Sequence, residues 1–269
     1  FAMPFALIGF FLAAKLYGFN WTTLIYIILC MVFARSSAMA FNRYIDRDID
    51  KINERTSKIR EIPNGTITAK NALIFVIINS LFFITTTYFI NTLCFVLSPI
   101  ALLIILCYSY TKRFTALCHL ILGLGLGLAP IGSYLAVSNE FNLIPILFSI
   151  AVLFWVSGFD IIYALQDEEF DKSQKLHSIP VIIGTKNALQ VAKSLHLLSI
   201  IILVTSGAIG EFGELYWIGA MIFSILLIYQ HTLVKYNDLS KINLAFFTTN
   251  GVASVIFGAF VICDILNIL

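Results

Sequence analysis

Long apolar runs make up most of the chain, and short polar segments separate them. Nine such runs cover residues 2–18, 21–41, 71–90, 93–110, 115–137, 143–165, 187–208, 214–234 and 242–266. A helix needs about 20 apolar residues to cross a bilayer, and it satisfies its own backbone groups in lipid. The pattern therefore predicts an all-α integral membrane protein of about nine transmembrane helices. We expect one bundle around a central cavity, with cytoplasmic cap loops.

Composition supports this class. The 269 residues are 59% hydrophobic and only 12% charged, whereas a soluble domain is about 25% charged. We expect a single domain over 1–269, with two halves at about 1–137 and 138–269. The predicted partner is the lipid bilayer, with no nucleic acid and no obligate protein partner. Because the chain begins at Phe1 inside an apolar run, we also expect natural residues to precede it.

Basic residues concentrate in one set of loops. Loops 42–70, 111–114, 166–186 and 235–241 hold fourteen of the 17 Lys and Arg residues. Positive charge marks the cytoplasmic side of a membrane protein. We therefore expect these loops to face the cytoplasm from a bacterial inner membrane. The first and third of them are long, and long loops in a compact domain are often functional.

The sequence FNRYIDRDIDKINERT (41–56) contains the first of two acidic clusters. Asn42, Asp46 and Asp50 are spaced i, i+4, i+8, which places them on one face of a helix, while Asp48 points elsewhere. The second cluster is DIIYALQDEEFDKSQ (160–174). Its members Asp160, Tyr163, Asp167 and Asp171 also share one helical face. Each cluster lies where an apolar run enters a cytoplasmic loop.

Carboxylates without histidine or cysteine suit hard cations such as Mg²⁺, which commonly bridges one or two carboxylates to substrate phosphates. Each cluster forms a column of carboxylates along one helix face. Two such columns that face each other would hold metal ions around a diphosphate. The candidate basic residues for the remaining phosphate charge are Arg43, Arg47, Arg60, Lys112 and Arg113. The alternative is a solvated loop whose charges pair with each other. Asp160 favours the functional reading because an uncharged run precedes it, and an intramembrane carboxylate is costly.

Other polar and small residues in the apolar runs have simpler readings. Arg35 lies within the second run, where it either binds an anion in the cavity or extends to the membrane interface. The five cysteines and four histidines show no metal-binding spacing, so we expect no zinc site. The glycines of LGLGLGLAPIG either allow close helix packing or, with Pro130, thin one wall of the predicted cavity.

Both acidic clusters resemble the motifs of the UbiA superfamily of membrane prenyltransferases. They read NRYIDRDID (42–50) and DIIYALQDEEFD (160–171), and the flanking segments ARSSAMAFNR, YSYTKRFT and LGLAPIG agree. The sequence AMAFNRYIDRDID is similar to those of the branch labelled 4-hydroxybenzoate polyprenyltransferase-like. Two positions depart from many members: Asn42 is followed by Arg43 instead of Asp, and residues 60–65 read REIPNG instead of RPLPSG.

The resemblance implies a role for each matched residue. Asn42, Asp46 and Asp50 would hold one Mg²⁺, and Asp167 and Asp171 the other. Asp160 and Tyr163 would lie deeper, beside the aromatic acceptor. The diphosphate would contact Tyr108, Lys112, Arg113 and Arg60, and Arg35 matches an arginine of the second helix in the family.

The implied activity is Mg²⁺-dependent transfer of a polyprenyl group from an allylic diphosphate to an aromatic acid such as 4-hydroxybenzoate. This reaction belongs to ubiquinone or menaquinone biosynthesis. Alternatives within the family differ in the acceptor: the futalosine route to menaquinone, haem, chlorophyll or tocopherol-type acceptors, or an archaeal ether lipid. The alternative from another class is a cation-coupled transporter, although such sites lie near the membrane midplane, whereas these acids crowd one face.

Overall fold

The computed structural model describes residues 1–267, and its regular elements in that range are helices. The α-helices are α1 (Ala2–Tyr17), α2 (Trp21–Ile45), α3 (Arg47–Ile52), α4 (Glu54–Ser57), α5 (Ala69–Ile90), α6 (Thr92–Thr111), α7 (Cys118–Ser138), α8 (Leu143–Ala164), α9 (Glu168–Ser173), α10 (Ile179–Ile209), α11 (Glu214–Leu233) and α12 (Asn250–Ile265). A 3₁₀ turn, Leu165–Asp167, joins α8 to α9, and a π-helical turn, Leu244–Thr249, leads into α12.

The chain is a multi-pass membrane protein. Within residues 1–267, eight helical segments are long and apolar enough to cross a bilayer; they contain α2, α5, α6, α7, α8, α10, α11 and α12. The ninth predicted run is α1, an apolar helix of 16 residues. The all-α membrane fold predicted from the apolar pattern is therefore confirmed. Side chains of Asn20, Thr68, Asn91 and Asn142 cap the starts of α2, α5, α6 and α8.

The start of α10 differs from the sequence-based expectation. The apolar pattern placed this span at 187 and a loop over 166–186, but α10 begins at Ile179. Ser178 caps it by accepting from the backbone N–H of Val181, and Pro180 stands in its first turn. The helix is broken at Gly184, where φ is 77°. The polar residues that follow this break interrupt the apolar pattern, which hid the first turns of the helix.

Helices α7 and α8 pack antiparallel with their backbones in close contact. A Cβ atom added at Gly123 would lie 2.3 Å from the carbonyl oxygen of Leu153, and one at Gly127 would lie 2.8 Å from that of Ser149. Only glycine fits at such separations, so Gly123 and Gly127 of LGLGLGLAPIG serve helix packing. The contact aligns one face of α7, which carries His119, with the face of α8 that carries Asp160.

The largest buried core lies away from the charged loops. Trp155, Phe148, Phe223, Phe257 and Tyr216 are almost completely buried there, at the junction of α8, α11 and α12. The indole N–H of Trp155 donates to Asn250 at 2.9 Å, which satisfies its only polar group. The apolar core holds α8 in place, so the side chains at the loop end of α8 have a fixed position.

Candidate active site

The first acidic column lies where α2 continues almost without interruption into α3. The backbone N–H of Asp46 donates to the carbonyl of Asn42 at 2.9 Å, and that of Asp50 donates to the carbonyl of Asp46 at 2.7 Å. This helical path keeps the three side chains on one side. Asp46 and Asp50 are 1% and 4% exposed, whereas the Asp48 side chain is 83% exposed. The i, i+4, i+8 spacing therefore separates two buried carboxylates from an exposed one.

Basic residues from other segments neutralise this column. Lys112 Nζ lies 2.8 Å from Asp46 Oδ2, at the end of α6, and Arg60 lies 2.7 Å from Asp50 Oδ2. Arg113 donates to the carbonyl of Ile45 at 2.7 Å and approaches the second oxygen of Asp46 at 3.6 Å. Burial raises the pKa of Asp50, and the opposing effect of Arg60 only partly offsets this. Pairing with Arg60 thus compensates the burial of the Asp50 carboxylate only in part.

The second acidic column follows the end of α8. Asp167 accepts from the Nε of Arg55 at 3.0 Å and from the side-chain amide of Asn53 at 3.3 Å. A second nitrogen of the Arg55 guanidinium pairs with the other Asp167 oxygen. Asp171, on α9, lies close enough to Asp46, Asp167 and Lys112 for their charges to act on its carboxyl group. Both columns therefore meet at the same end of the bundle.

We call Asn42, Asp46, Asp50, Asp167 and Asp171 the two-column site. A cavity of about 530 Å³ opens beside it, lined by Asn53, Arg55, Asp167 and Phe170 among others. A larger cavity, about 740 Å³, lies beside Lys15 and Asp264 at the opposite end of the bundle and contains no member of either column. Of these two cavities, the smaller is the one that contacts an acidic column, through Asp167.

Asp160 and Tyr163 lie deeper on α8 than the two-column site. Asp160 Oδ2 is 2.7 Å from Nδ1 of His119 on α7. The Tyr163 ring stacks on Phe246 with ring centroids 4.1 Å apart. Its hydroxyl oxygen accepts from Arg55 at 3.4 Å. Tyr163 therefore has its hydroxyl towards the charged site and its ring against apolar side chains, as a boundary between the two regions.

The remaining basic candidates have different environments. Arg43 donates to the side-chain oxygen of Asn42 at 3.3 Å and lies 3.6 Å from Glu61. Arg47 donates to the backbone of Tyr44 and pairs with the exposed Asp48, so the structure does not bring it to the two-column site. Arg35, on α2, makes no ion pair or side-chain hydrogen bond within residues 1–267. Its charge remains available to an anion.

Two residues at the site were not identified from the sequence. Arg55 belongs to a charged loop in which no periodicity distinguishes one base from another. His119 was set aside because the histidines show no metal-binding spacing. A usable indication did exist, since His119 is the one residue of the Asp, Glu, Lys, Arg and His types in the apolar run 115–137, and such a residue inside a membrane span commonly has a functional role.

Comparison with known proteins finds relatives over nearly the whole chain. The model of the UbiA prenyltransferase family matches residues 2–252. A 4-hydroxybenzoate octaprenyltransferase of Aeromonas hydrophila is 28% identical over 242 residues, which is 90% of this chain and 83% of that protein. The apo structure of a UbiA homolog from Aeropyrum pernix K1 matches with a TM-score of 0.89 and 29% identity, covering 100% of this chain and 97% of the other.

A third match is the structure of a UbiA homolog from Archaeoglobus fulgidus bound to GPP and Mg²⁺. Its TM-score is 0.71 and its identity 21%, with 99% of this chain and 95% of that chain covered. At this identity the likeness concerns the fold alone.

Proposed function

The chain belongs to the UbiA prenyltransferase family, and from this premise we propose that it transfers a polyprenyl group from an allylic diphosphate to an aromatic hydroxy acid. We take 4-hydroxybenzoate or a close analogue as the acceptor and Mg²⁺ as the cofactor. The name of the Aeromonas hydrophila relative supports this acceptor, and the GPP and Mg²⁺ bound to the Archaeoglobus fulgidus homolog support the donor and the metal. The product would enter ubiquinone or menaquinone biosynthesis.

The pairing of acids with bases is the observation that carries the proposal. Lys112 pairs with Asp46, Arg60 with Asp50, and Arg55 with Asp167. Two of these pairs, Lys112–Asp46 and Arg55–Asp167, join segments that are distant in the sequence, and all three pairs lie at one end of the bundle. A ligand that combines cations with an anionic group can replace both halves of each pair. A metal-bound diphosphate is such a ligand.

The donor set of the two-column site fits Mg²⁺. Its side chains offer only oxygen ligands, which hard cations prefer. Asp46 Oδ1 is buried and has no hydrogen-bond partner, so it is free to bind a cation. Within residues 1–267 no three acidic, histidine or cysteine side chains converge on one point. Mg²⁺ does not require such a cage, since it commonly uses one or two carboxylates and keeps several waters.

The reaction begins with binding of the diphosphate head at the two-column site. Mg²⁺ bound there would neutralise negative charge that builds on the diphosphate oxygens as the allylic C–O bond breaks. Arg55, Arg60 and Lys112 then donate to phosphate oxygens in place of their carboxylate partners, and Arg113 and Tyr108 lie in the same region. Positioned donors of this kind stabilise a leaving anion most strongly where water is excluded.

The acceptor is proposed to lie between the charged end and the apolar core. The unpaired guanidinium of Arg35 would bind the acceptor's carboxylate. Asp160 would orient the acceptor's hydroxyl group and accept its proton, and Tyr163, stacked on Phe246, would shield the allylic cation from water. We further propose that the charged loops face the cytoplasm of a bacterial inner membrane, because they hold fourteen of the 17 Lys and Arg residues.

Product analysis of the purified protein tests the proposal. The protein in lipid nanodiscs would be incubated with Mg²⁺, polyprenyl diphosphates of defined length and 4-hydroxybenzoate, and products would be identified by mass. We expect a prenylated hydroxybenzoate and one diphosphate released per product, both absent with EDTA. Parallel reactions with other aromatic acids, a glycerol phosphate lipid alcohol and haem distinguish the acceptor alternatives. Absence of both product and diphosphate release with every acceptor would refute the enzymatic proposal and leave a transporter as the alternative.

A further inference from the structure

His119 and Asp160 form a hydrogen-bonded pair between two membrane helices. His119 Nδ1 lies 2.7 Å from Asp160 Oδ2. His119 stands at the start of α7 and Asp160 near the end of α8, so both are near the loop end of the bundle. The close backbone contact at Gly123 and Gly127 brings these two helix faces together. The pair is therefore held by the packing of rigid elements.

The surroundings of His119 determine which nitrogen carries the hydrogen in the neutral ring. Its Nε2 accepts from the backbone N–H of Ile179 at 3.4 Å. An imidazole nitrogen that accepts a hydrogen bond carries no hydrogen, so in the neutral form the hydrogen is on Nδ1. Nδ1 then donates to Asp160. In this arrangement Asp160 Oδ2 accepts from His119 Nδ1, and the donor stabilises negative charge on the carboxylate.

The two side chains differ in exposure. The His119 side chain is 3% exposed, whereas that of Asp160 is 23% exposed. Within residues 1–267, Asp160 has no hydrogen-bond partner other than His119. Its second oxygen, Oδ1, is therefore available to a bound molecule. Ser157 on α8 also contacts the backbone of His119, since its hydroxyl donates to the His119 carbonyl at 3.1 Å.

Asp160 also faces the region of the two-column site. Tyr108, on α6, lies within electrostatic range of both Asp160 and Asp46. A small aromatic acceptor beside Tyr108 can therefore contact Asp160 while its reacting carbon faces the diphosphate end.

We propose that His119 is a positioning residue for the acceptor half of the reaction: it orients Asp160 and donates to its carboxylate, so that Asp160 Oδ1 accepts the proton of the acceptor's phenolic hydroxyl. This inference rests on the proposed function. The ring carbon ortho to the phenolate oxygen forms the new C–C bond while the C–O bond to diphosphate breaks, and diphosphate leaves. The hydrogen on that ring carbon departs to water as a proton, and Asp160 returns its proton to the oxygen.

Three variants separate this role from packing. His119→Leu introduces an apolar side chain of comparable size and removes the hydrogen-bond donor. His119→Asn restores a donor near the position of Nδ1. Asp160→Asn removes the proton acceptor. General base catalysis contributes on the order of 10²–10⁴-fold. We expect His119→Leu to lower kcat by about 10-fold or more, with the KM for polyprenyl diphosphate unchanged. His119→Asn should recover part of the loss.

Two further measurements make the test specific. The double variant combines His119→Leu with Asp160→Asn. Its kcat should be less than about 2-fold below that of Asp160→Asn alone, because the effects of residues that act as a unit are not additive. Ring-fluorinated hydroxybenzoates, whose phenols are more acidic, should reduce the loss caused by His119→Leu. Binding of a fluorescent prenyl diphosphate with Mg²⁺ should be the same in every variant, which shows that the donor site is intact.

The outcomes distinguish the two proposals. Suppose that the wild-type enzyme is active. If the losses in kcat at the two positions are additive, or if the loss caused by His119→Leu does not depend on the acidity of the acceptor, the role of His119 alone is overturned. Equal loss of prenyl diphosphate binding in both His119 variants would show a purely structural role and overturn it as well. A wild-type protein that prenylates no phenol would overturn the proposed function together with this inference.

Discussion

Arg55 and Asp167 connect the two acidic regions of the chain across 112 residues. The Nε of Arg55 donates to Asp167 Oδ1 at 3.0 Å, and its terminal nitrogens contact the second Asp167 oxygen and the Tyr163 hydroxyl. One guanidinium thus contacts a proposed metal ligand and a residue near the proposed acceptor position. No other basic residue in the part of the chain that the structure describes contacts both.

Replacing Arg55 tests whether this bridge contributes to binding of the diphosphate. We expect Arg55→Ala to lower kcat/KM for polyprenyl diphosphate by on the order of 100-fold, because removal of one member of a partly buried ion pair leaves the other uncompensated. Steady-state kinetics and prenyl diphosphate binding would measure the effect. Lys58→Ala is the matched control, since Lys58 is an exposed base of the same loop. Equal effects of the two changes would mean that only the net charge of the loop matters.

The helical face on which the side chains of the first acidic column lie gives a second prediction. Asp46→Asn should abolish turnover while the protein remains folded, because Asp46 is 1% exposed and lies in the two-column site. Asp167→Asn should do the same for the second column. Asp48→Asn should have little effect, since the Asp48 side chain is 83% exposed. Product formation and thermal unfolding would be compared across the three variants. Similar loss at positions 46 and 48 would contradict a functional role for the helical face.

Lys112 should compete with metal ions when no substrate is bound. Its Nζ lies 2.8 Å from Asp46 Oδ2, where a cation would bind. We expect Lys112→Met to bind Mn²⁺ more tightly than the wild type in the absence of diphosphate, as followed by electron paramagnetic resonance. The same variant should bind prenyl diphosphate more weakly when metal is present. Unchanged Mn²⁺ affinity would show that the ion pair does not occupy the metal position.

Metal and diphosphate together should stabilise the folded protein. A ligand at about a hundred times its Kd adds about 2.7 kcal/mol to the free energy of unfolding. We expect Mg²⁺ with a non-reactive prenyl diphosphate analogue to raise the thermal midpoint of the wild type, and each component alone to have a smaller effect. Asp46→Asn should lose the increase. An equal rise of the midpoint with the analogue alone in Mg²⁺-free buffer would contradict joint binding.

Orientation in the membrane can be measured with cysteine labelling in a variant whose five native cysteines are alanine. Lys58→Cys reports on the long charged loop, and Phe141→Cys, at a side chain that is 59% exposed, reports on the opposite end. If the charged loops are cytoplasmic, an impermeant maleimide added to intact cells should label position 141 and not 58. Disruption of the cells should make both reactive. The reverse pattern would place the two-column site outside.

Much of the fold was predictable because it depends on local pattern. Apolar run length located the membrane helices, and the i, i+4 spacing separated Asp46 and Asp50 from Asp48. The break at Gly184 was not predictable, because a glycine between an apolar stretch and a polar one does not reveal its φ angle. The early start of α10 was indicated only by Ser178 and Pro180, whose capping pattern is weaker than the apolar run that follows.

The site was less predictable than the fold because its partners are distant in sequence. Carboxylate spacing indicated a metal site, but nothing in the sequence shows that Asp167 pairs with Arg55 or that Asp46 pairs with Lys112. The His119–Asp160 bond depends on which faces of α7 and α8 meet. That choice comes from packing around Gly123 and Gly127, and it only became visible once the two helices were placed.

The glycine contact between α7 and α8 also determines which parts of α7 tolerate redesign. A methyl group at position 123 would collide with backbone, which cannot move aside as a side chain can. It would therefore wedge the helices apart and lengthen the distance between His119 and Asp160 without touching either. Leu124 is 40% exposed on the outer surface of α7, where bulk can change freely. Engineering of acceptor choice should thus leave the inner glycines intact and vary the residues around them.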